Sequence, residues 1–256
     1  MKVKSKKRRW LWVISLVLVP AMLLVGCWTI DAPAAQVPEL RSFALQNGIS
    51  LRAWPEELVR LYRDNPEAAE FALQYPLKKG KTVQPDMMQY LDTGAVPLLL
   101  QWDEHWGYAP YGSSVVGITG CGPTCLSMVC LYLLQDGKYD PAYVAEFSEK
   151  QGYYAPGYGS SWTLISEGGK KLGLQIQELP LDENLILRSL REGSPVICAM
   201  GPGDFTASGH FIVIVGEERG CFRIHDPNSR VRSAQLWEYQ QISSQIRNLW
   251  SCSLPE

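Results

Sequence analysis

The chain has 256 residues, 46% of them hydrophobic, 20% charged and 11% aromatic, which excludes a disordered, a collagen-like and a multi-pass membrane protein. At about 150 residues per domain, it holds one or two domains. Its net charge of −2 hides an asymmetry: Lys2, Lys4, Lys6, Lys7, Arg8 and Arg9 are six of the 24 basic residues, the other 18 face 26 acids, and a body at −8 has no electrostatic footprint for nucleic acid.

The basic start runs into 17 uncharged residues, 10–26, interrupted by Pro20. A basic segment followed by an apolar one reads as an export signal whose charges stay on the cytoplasmic side. The run ends in Leu24-Val25-Gly26-Cys27. That tetrapeptide resembles the bacterial lipobox, in which a signal peptidase cuts before the cysteine and the cysteine carries lipid. The other reading is an uncleaved anchor helix with an incidental Cys27. Either one tethers the body to the membrane on its extracellular side, and residues 1–27 are assigned to this signal or anchor. Residues 28–52, rich in proline and alanine at 31–38, read as a tether. Residues 53–94 read as a helical extension. Pro55-Glu56-Glu57 opens one helix, with Leu58, Leu61 and Tyr62 on one face. Asn65-Pro66-Glu67 opens a second as cap, first position and first-turn acid, carrying Phe71, Leu73 and Tyr75 until Pro76 stops it.

Residues 95–256 have the texture of a compact α+β domain. A short strand is expected at 96–100. Residues 123–135 are apolar almost all round and predict a central buried helix. Further helices are expected at 141–150, 161–171, 182–192 and 236–246, and strands at 174–178, 195–200, 211–215 and 221–225. Helices come first and strands cluster late, which favours α+β over an alternating parallel sheet. The body holds Cys121, Cys125, Cys130, Cys198, Cys221 and Cys252, mostly in apolar runs where cysteine acts as a small core hydrophobe. An exported chain invites disulfides, but one of this length buries a core without them.

Gly120-Cys121-Gly122-Pro123-Thr124 is the exception among the cysteines. Pro123 suits the first helical position, which sets Cys121 just before a helix N-terminus, where free N–H groups and the dipole favour a thiolate. The flanking glycines clear the approach of a substrate backbone. A capping or core cysteine is the competing reading. Cys125 and Cys130 lie deeper in the helix and read as core, with a resolving thiol at Cys125 the lesser alternative. A cysteine nucleophile needs a base, and the chain has His105, His210 and His225. If 211–215 and 221–225 form a hairpin, His210 falls opposite or beside Asp226, while His225 points to the other face. His210 and Asp226 then make a base with its orienter. Asn228, two residues on, competes for that role but lies past Pro227. No compact second Cys or His pair exists, so no metal is expected.

Nucleophile at a helix start and base with orienter on a later hairpin is the papain-like order. With residues 98–107 (LLLQWDEHWG), 120–128 (GCGPTCLSM), 209–216 (GHFIVIVG) and Asp226-Pro227-Asn228, the chain resembles the C39-like peptidases, in particular their secreted, transporter-free bacterial members. The likeness spans roughly residues 58–250. It implies a papain-like fold, Cys121 as nucleophile, His210 as base, Asp226 as orienter and Gln101 as oxyanion-hole donor, with no cofactor. Family members fused to transporters cut leaders after a double glycine, and that substrate is not carried over. Trp102, Gly122, Trp162 and Gly209 are expected to line the substrate cleft, within walls at 153–162 and 201–209. The expectation is a monomeric, membrane-tethered, extracellular peptidase acting on peptides or proteins. A cell-wall stem-peptide amidase and a non-catalytic peptide-binding module on the same fold are the alternatives.

Overall fold

The computed structural model describes residues 32–255 except 82 and 84; the export segment and Cys27 lie outside the described residues. The chain divides into two compact units, one ending at Asp64 and the other running from Asn65 to the C-terminus.

The first unit corrects the tether expected over 28–52. Pro33–Gln36 forms a 3-10 turn, followed by α1 (Pro38–Asn47) and α2 (Glu56–Asp64). Both Pro33 and Pro38 occupy first helical positions, where a missing N–H does no harm, and Gly48 ends α1 with φ of 64°. The same residues give a linker composition. Phe43 meets Trp54 edge-on at 6.2 Å.

The helical extension expected over 53–94 is cut by this boundary. Its second half, the turn Pro66–Ala68 and α3 (Ala69–Lys78), belongs to the second unit, and Pro76 lies inside α3 rather than ending it. Residues 96–100 form no strand. The Pro97 carbonyl faces the His225 ring at 3.2 Å, and the Gln101 N–H bonds the Pro227 carbonyl at 2.7 Å, so this run meets side chains and a loop rather than a ladder. After the turn helix α4 (Val116–Thr119), α5 (Cys121–Leu134) begins two residues earlier than expected, with Pro123 still in its first turn. Asp140 caps α6 (Pro141–Lys150) through the N–H groups of Ala142 and Tyr143.

The sheet contains β1 (Gln175–Glu178), β2 (Val196–Met200), β3 (His210–Glu218), β4 (Cys221–His225), β5 (Leu236–Trp237) and β6 (Ile246–Ser253). Its order is β1-β6-β2-β3-β4-β5, antiparallel throughout. The helix α7 (Glu183–Arg191) precedes β2. Two expectations fail here, and one strand is new. Residues 236–246 are a short strand and a separate turn of helix, 161–171 are a π-type turn running into one helical turn, and β6 was not foreseen.

Alternation along β2 shows how the sheet is buried on both faces. Ile197 and Ala199 join α5, through Cys125, Leu126, Met128, Val129 and Leu131, in one core. Val196, Cys198 and Met200 join Ile212, Ile214, Phe222 and Ile224 in another, with Ile186 of α7. A strand covered on both faces is a continuous apolar run, as VICAM is. The helix and antiparallel sheet together make the expected α+β fold, with the central buried helix starting at Cys121. Leu131 is fully buried beneath the sheet. Leu131→Ala should therefore lower unfolding stability by about 2–5 kcal/mol, read from the urea midpoint at unchanged m-value.

Candidate active site

Helix geometry sets the nucleophile candidate. Cys121 is the first residue of α5 and Gly120 its cap, so the Cys121 and Gly122 N–H groups lie in the first turn and have no carbonyl one turn back. The flanking glycines have a packing cause. A Cβ on Gly120 would stand 2.5 Å from the Val116 carbonyl oxygen, and one on Gly122 would stand 2.8 Å from Ser160 Oγ. Ser160 in turn pairs with the Tyr111 hydroxyl at 2.6 Å, which also meets Ser148. The expected wall at 153–162 is thus packed against the start of α5.

His210 opens β3 with its side chain 8% exposed, and its Nε2 lies 2.8 Å from Asp226 Oδ1. Its remaining ring nitrogen is left for Cys121, whose thiol lies near enough to help hold the ring charged. Burial alone would lower the His210 pKa, but the Asp226 carboxylate and Cys121 together push it up to about 10. Asp226 has no exposed surface. Its burial would raise its pKa, yet His210 and then Arg232 hold it below the usual carboxylate range. Oδ1 also accepts the Asn228 N–H at 2.7 Å, and Oδ2 accepts Arg232 Nε at 2.5 Å. The Asp226 N–H donates to Ser233 Oγ at 2.9 Å. Arg232 was not foreseen. It sits in α8 (Arg230–Ser233), whose four residues give no periodic signal.

The hairpin reaches this pairing by a different register from the expected one. Glu218 faces Cys221 across a two-residue turn, Arg219 and Gly220, both with positive φ. A one-residue bulge between Ile214 and Gly216 then sets Ile214 opposite Ile224 and Val213 opposite His225. Continued, that register sets Ile212 opposite Asp226, so His210 and Asp226 are diagonal neighbours on one side rather than directly opposed. Without the bulge His210 would share its side with His225, because a one-residue slip exchanges the faces.

Other expected residues fall differently. Gln101 is buried, and its side-chain NH₂ donates to the Gly117 and Ile118 carbonyls at 3.1 and 3.2 Å, which caps α4; its Oε1 has no partner. Both amide hydrogens face carbonyls, not an open oxyanion site. Trp102 is buried rather than cleft-lining, donating from Nε1 to the Asn228 carbonyl at 3.3 Å beneath the Arg230 guanidinium. Trp162 is 48% exposed and meets Trp250 edge-on. A Cβ on Gly209 would meet open space. The Asn228 side chain accepts from Asn65 Nδ2 and stands outside the His210 pair. His105 is exposed beside Asp103, and burial lowers the His225 pKa to about 4.

The six cysteines among the described residues are free. Burial raises the pKa of Cys125, Cys130, Cys198 and Cys252 far above the ordinary thiol. Among the described residues no cluster of three or more His, Cys, Asp or Glu could hold a metal.

A sequence model of the Peptidase_C39 like family matches residues 93–252. Among solved structures, the peptidase domain of Streptococcus ComA, a bifunctional ABC transporter involved in a quorum-sensing pathway, is 21% identical with a TM-score of 0.42, over 54% of this chain and 93% of that one. A protein from Bacillus anthracis described as a C39-like peptidase is 17% identical with a TM-score of 0.38, over 64% of this chain and 97% of that one. No curated protein sequence matches.

The folded-state pKa of His210 lies above its unfolded value near 6.5, so the pairing stabilises the fold fully below that pH and is lost as pH rises through about 10. Asp226 works in the opposite sense, and its contribution is lost in acid as the carboxylate is protonated. Asp226→Asn should lower the His210 pKa by about 1 unit or more by NMR titration, whereas Asn228→Ala, which keeps its backbone N–H, should move it far less.

Proposed function

The chain belongs to the Peptidase_C39 like family, and on that premise we propose that it is a membrane-tethered, extracytoplasmic cysteine peptidase using Cys121, His210 and Asp226 to hydrolyse peptide bonds. The observation that carries this reading is the buried His210–Asp226 pair at 2.8 Å, set beside Cys121 at a helix start. The attacking form in this reading is the Cys121 thiolate, with the proton held by the His210 ring, whose pKa is pushed up. Cys121 Sγ attacks the substrate carbonyl, and the C=O π pair moves onto oxygen. His210 gives its proton to the departing amine as the C–N bond breaks, leaving a thioester. Water then attacks the thioester, the neutral His210 takes its proton, and the thiolate leaves. Asp226 keeps the ring oriented and stabilises its charged form.

The first-turn N–H of Cys121 supplies one oxyanion donor. Gln101 supplies a second once one of its two carbonyl contacts is exchanged for the oxyanion. Trp162 and Gly209 line the cleft, the substrate is a peptide or protein, and the working form is a monomer. Residues 1–27 hold the enzyme at the membrane. The export charges at residues 2–9 and the Leu24–Cys27 tetrapeptide support this placement.

Two experiments test the reading. Cys121 should alkylate with iodoacetamide ahead of every other cysteine at mildly acidic pH, because its competitors are buried or lack an imidazole, and peptide cleavage should vanish in Cys121→Ala. First labelling at Cys221 or Cys198, or a wild-type rate in Cys121→Ala, would remove the nucleophile. Cys27→Ala should leave an uncleaved precursor, read as intact mass in the membrane fraction; a wild-type chain that itself begins at Met1 would instead favour an anchor helix.

A further inference from the structure

The residues that open the second unit grip the loop carrying the acid of the site. Glu67 Oε1 accepts the Ser229 hydroxyl at 2.6 Å and the Val231 N–H at 3.3 Å, and Oε2 accepts the Arg230 N–H at 2.8 Å. Asn65 Nδ2 donates to the Asn228 carbonyl at 2.8 Å and to its side-chain oxygen at 3.1 Å, while Asn65 Oδ1 accepts the Glu67 N–H at 3.1 Å and fixes the turn. Five contacts therefore hold residues 228–231. On one side of that loop the Asn228 N–H reaches Asp226 Oδ1, and on the other Arg232 reaches Oδ2. Ser229 Oγ, bound to Glu67, also accepts the Arg232 N–H at 3.1 Å.

The same segment reaches the cysteine side. A Cβ on Gly117 would stand 2.3 Å from the Phe71 ring, so that glycine leaves the space Phe71 occupies beneath the turn before Cys121. Phe71 stacks on Tyr108 at 4.6 Å, and the Tyr108 hydroxyl donates to the Phe71 carbonyl. Asn65, Glu67 and Phe71 all precede residue 93, where the family match begins.

We infer that residues 65–71 are a permanent part of the catalytic apparatus rather than a removable pro-segment, with Glu67 a positioning residue that acts on His210 through the loop bearing Asp226. The inference rests on the reading of Cys121, His210 and Asp226 as one site. Glu67 touches neither the ring nor the thiol. It fixes Asn228 to Arg232, which fix both oxygens of Asp226, which fixes the imidazole. The charged and titratable groups facing His210 are Asp226 and Cys121, and those facing Asp226 are His210 and Arg232.

Glu67→Gln keeps the shape but trades half of a charged acceptor for an amide donor facing the Arg230 N–H or the Ser229 hydroxyl. In the full-length protein it should lower the His210 pKa, by about half a unit or more in an NMR titration, and slow Cys121 alkylation at neutral pH. With a peptide substrate, kcat should fall about tenfold with KM near wild type. In an Asp226→Asn background the same change should bring no further loss, because its route is already cut. A Glu67→Gln protein with a lower melting temperature but a wild-type His210 pKa would overturn the inference, as would a full additional loss in the Asp226→Asn background. If Glu67→Gln does not fold, Ser229→Ala removes one of the three Glu67 contacts and should move the His210 pKa in the same direction by less; no movement counts against the inference. The titration needs no substrate. A wild-type protein that cleaves no peptide would defeat the peptidase reading while the His210 pKa still decides the role of Glu67.

Discussion

The Asp226 carboxylate has no surface in water, and an unpaired charge there would cost several kcal/mol, so its surroundings are arranged to satisfy it. Oδ1 takes a ring nitrogen and a backbone N–H, Oδ2 takes a guanidinium, and the main-chain N–H takes a serine hydroxyl. Two cations flank one anion. Removing Arg232 would leave the charge to the imidazole alone; removing His210 would leave it to the guanidinium. The short helix α8 exists to bring Arg232 and Ser233 back onto a residue six or seven positions earlier. The loop joining them holds internal bonds of its own, and Glu67 and Asn65 bind it from outside as well.

What the sequence made legible was local. An apolar run opened by Gly-Cys-Gly-Pro reads as a buried helix with a cysteine at its mouth, and α5 is that helix. Two apolar-patterned runs around Glu217-Glu218-Arg219-Gly220 read as a hairpin, and β3 and β4 are its strands. The register was not legible. The bulge at Val215 is marked only by Gly216 beside it, and the turn is tighter than the four residues suggest. The right partners still emerged, because two departures from the expected count left His210 and Asp226 on one side.

Other features escaped because their causes lie far away in the chain. Glu67 has the look of a first-turn acid, and Asn65 does cap the turn, but the carboxylate meets groups 162 to 164 residues later. Nothing within a helical window encodes that. The strand β6 is hidden by its own bulge between Ile246 and Asn248, which breaks the alternation that would announce it. The opposite error occurred at 28–52, where two prolines at first helical positions gave the composition of a linker. Composition counts prolines; structure depends on where in the turn each one falls.

Gln101 shows how one side chain can serve packing and chemistry in conflict. The turn α4 ends just before Cys121, and its last carbonyls have no N–H ahead of them to accept. The Gln101 amide supplies the missing donors at Gly117 and Ile118, which steadies the backbone that presents the thiol. An oxyanion would be a stronger acceptor than either carbonyl, since a charge-assisted bond is roughly twice as strong as a neutral one. The exchange is therefore downhill only while the oxyanion exists. In the proposed reaction, a donor held by carbonyls at rest and released by developing charge would bind the transition state more than the substrate.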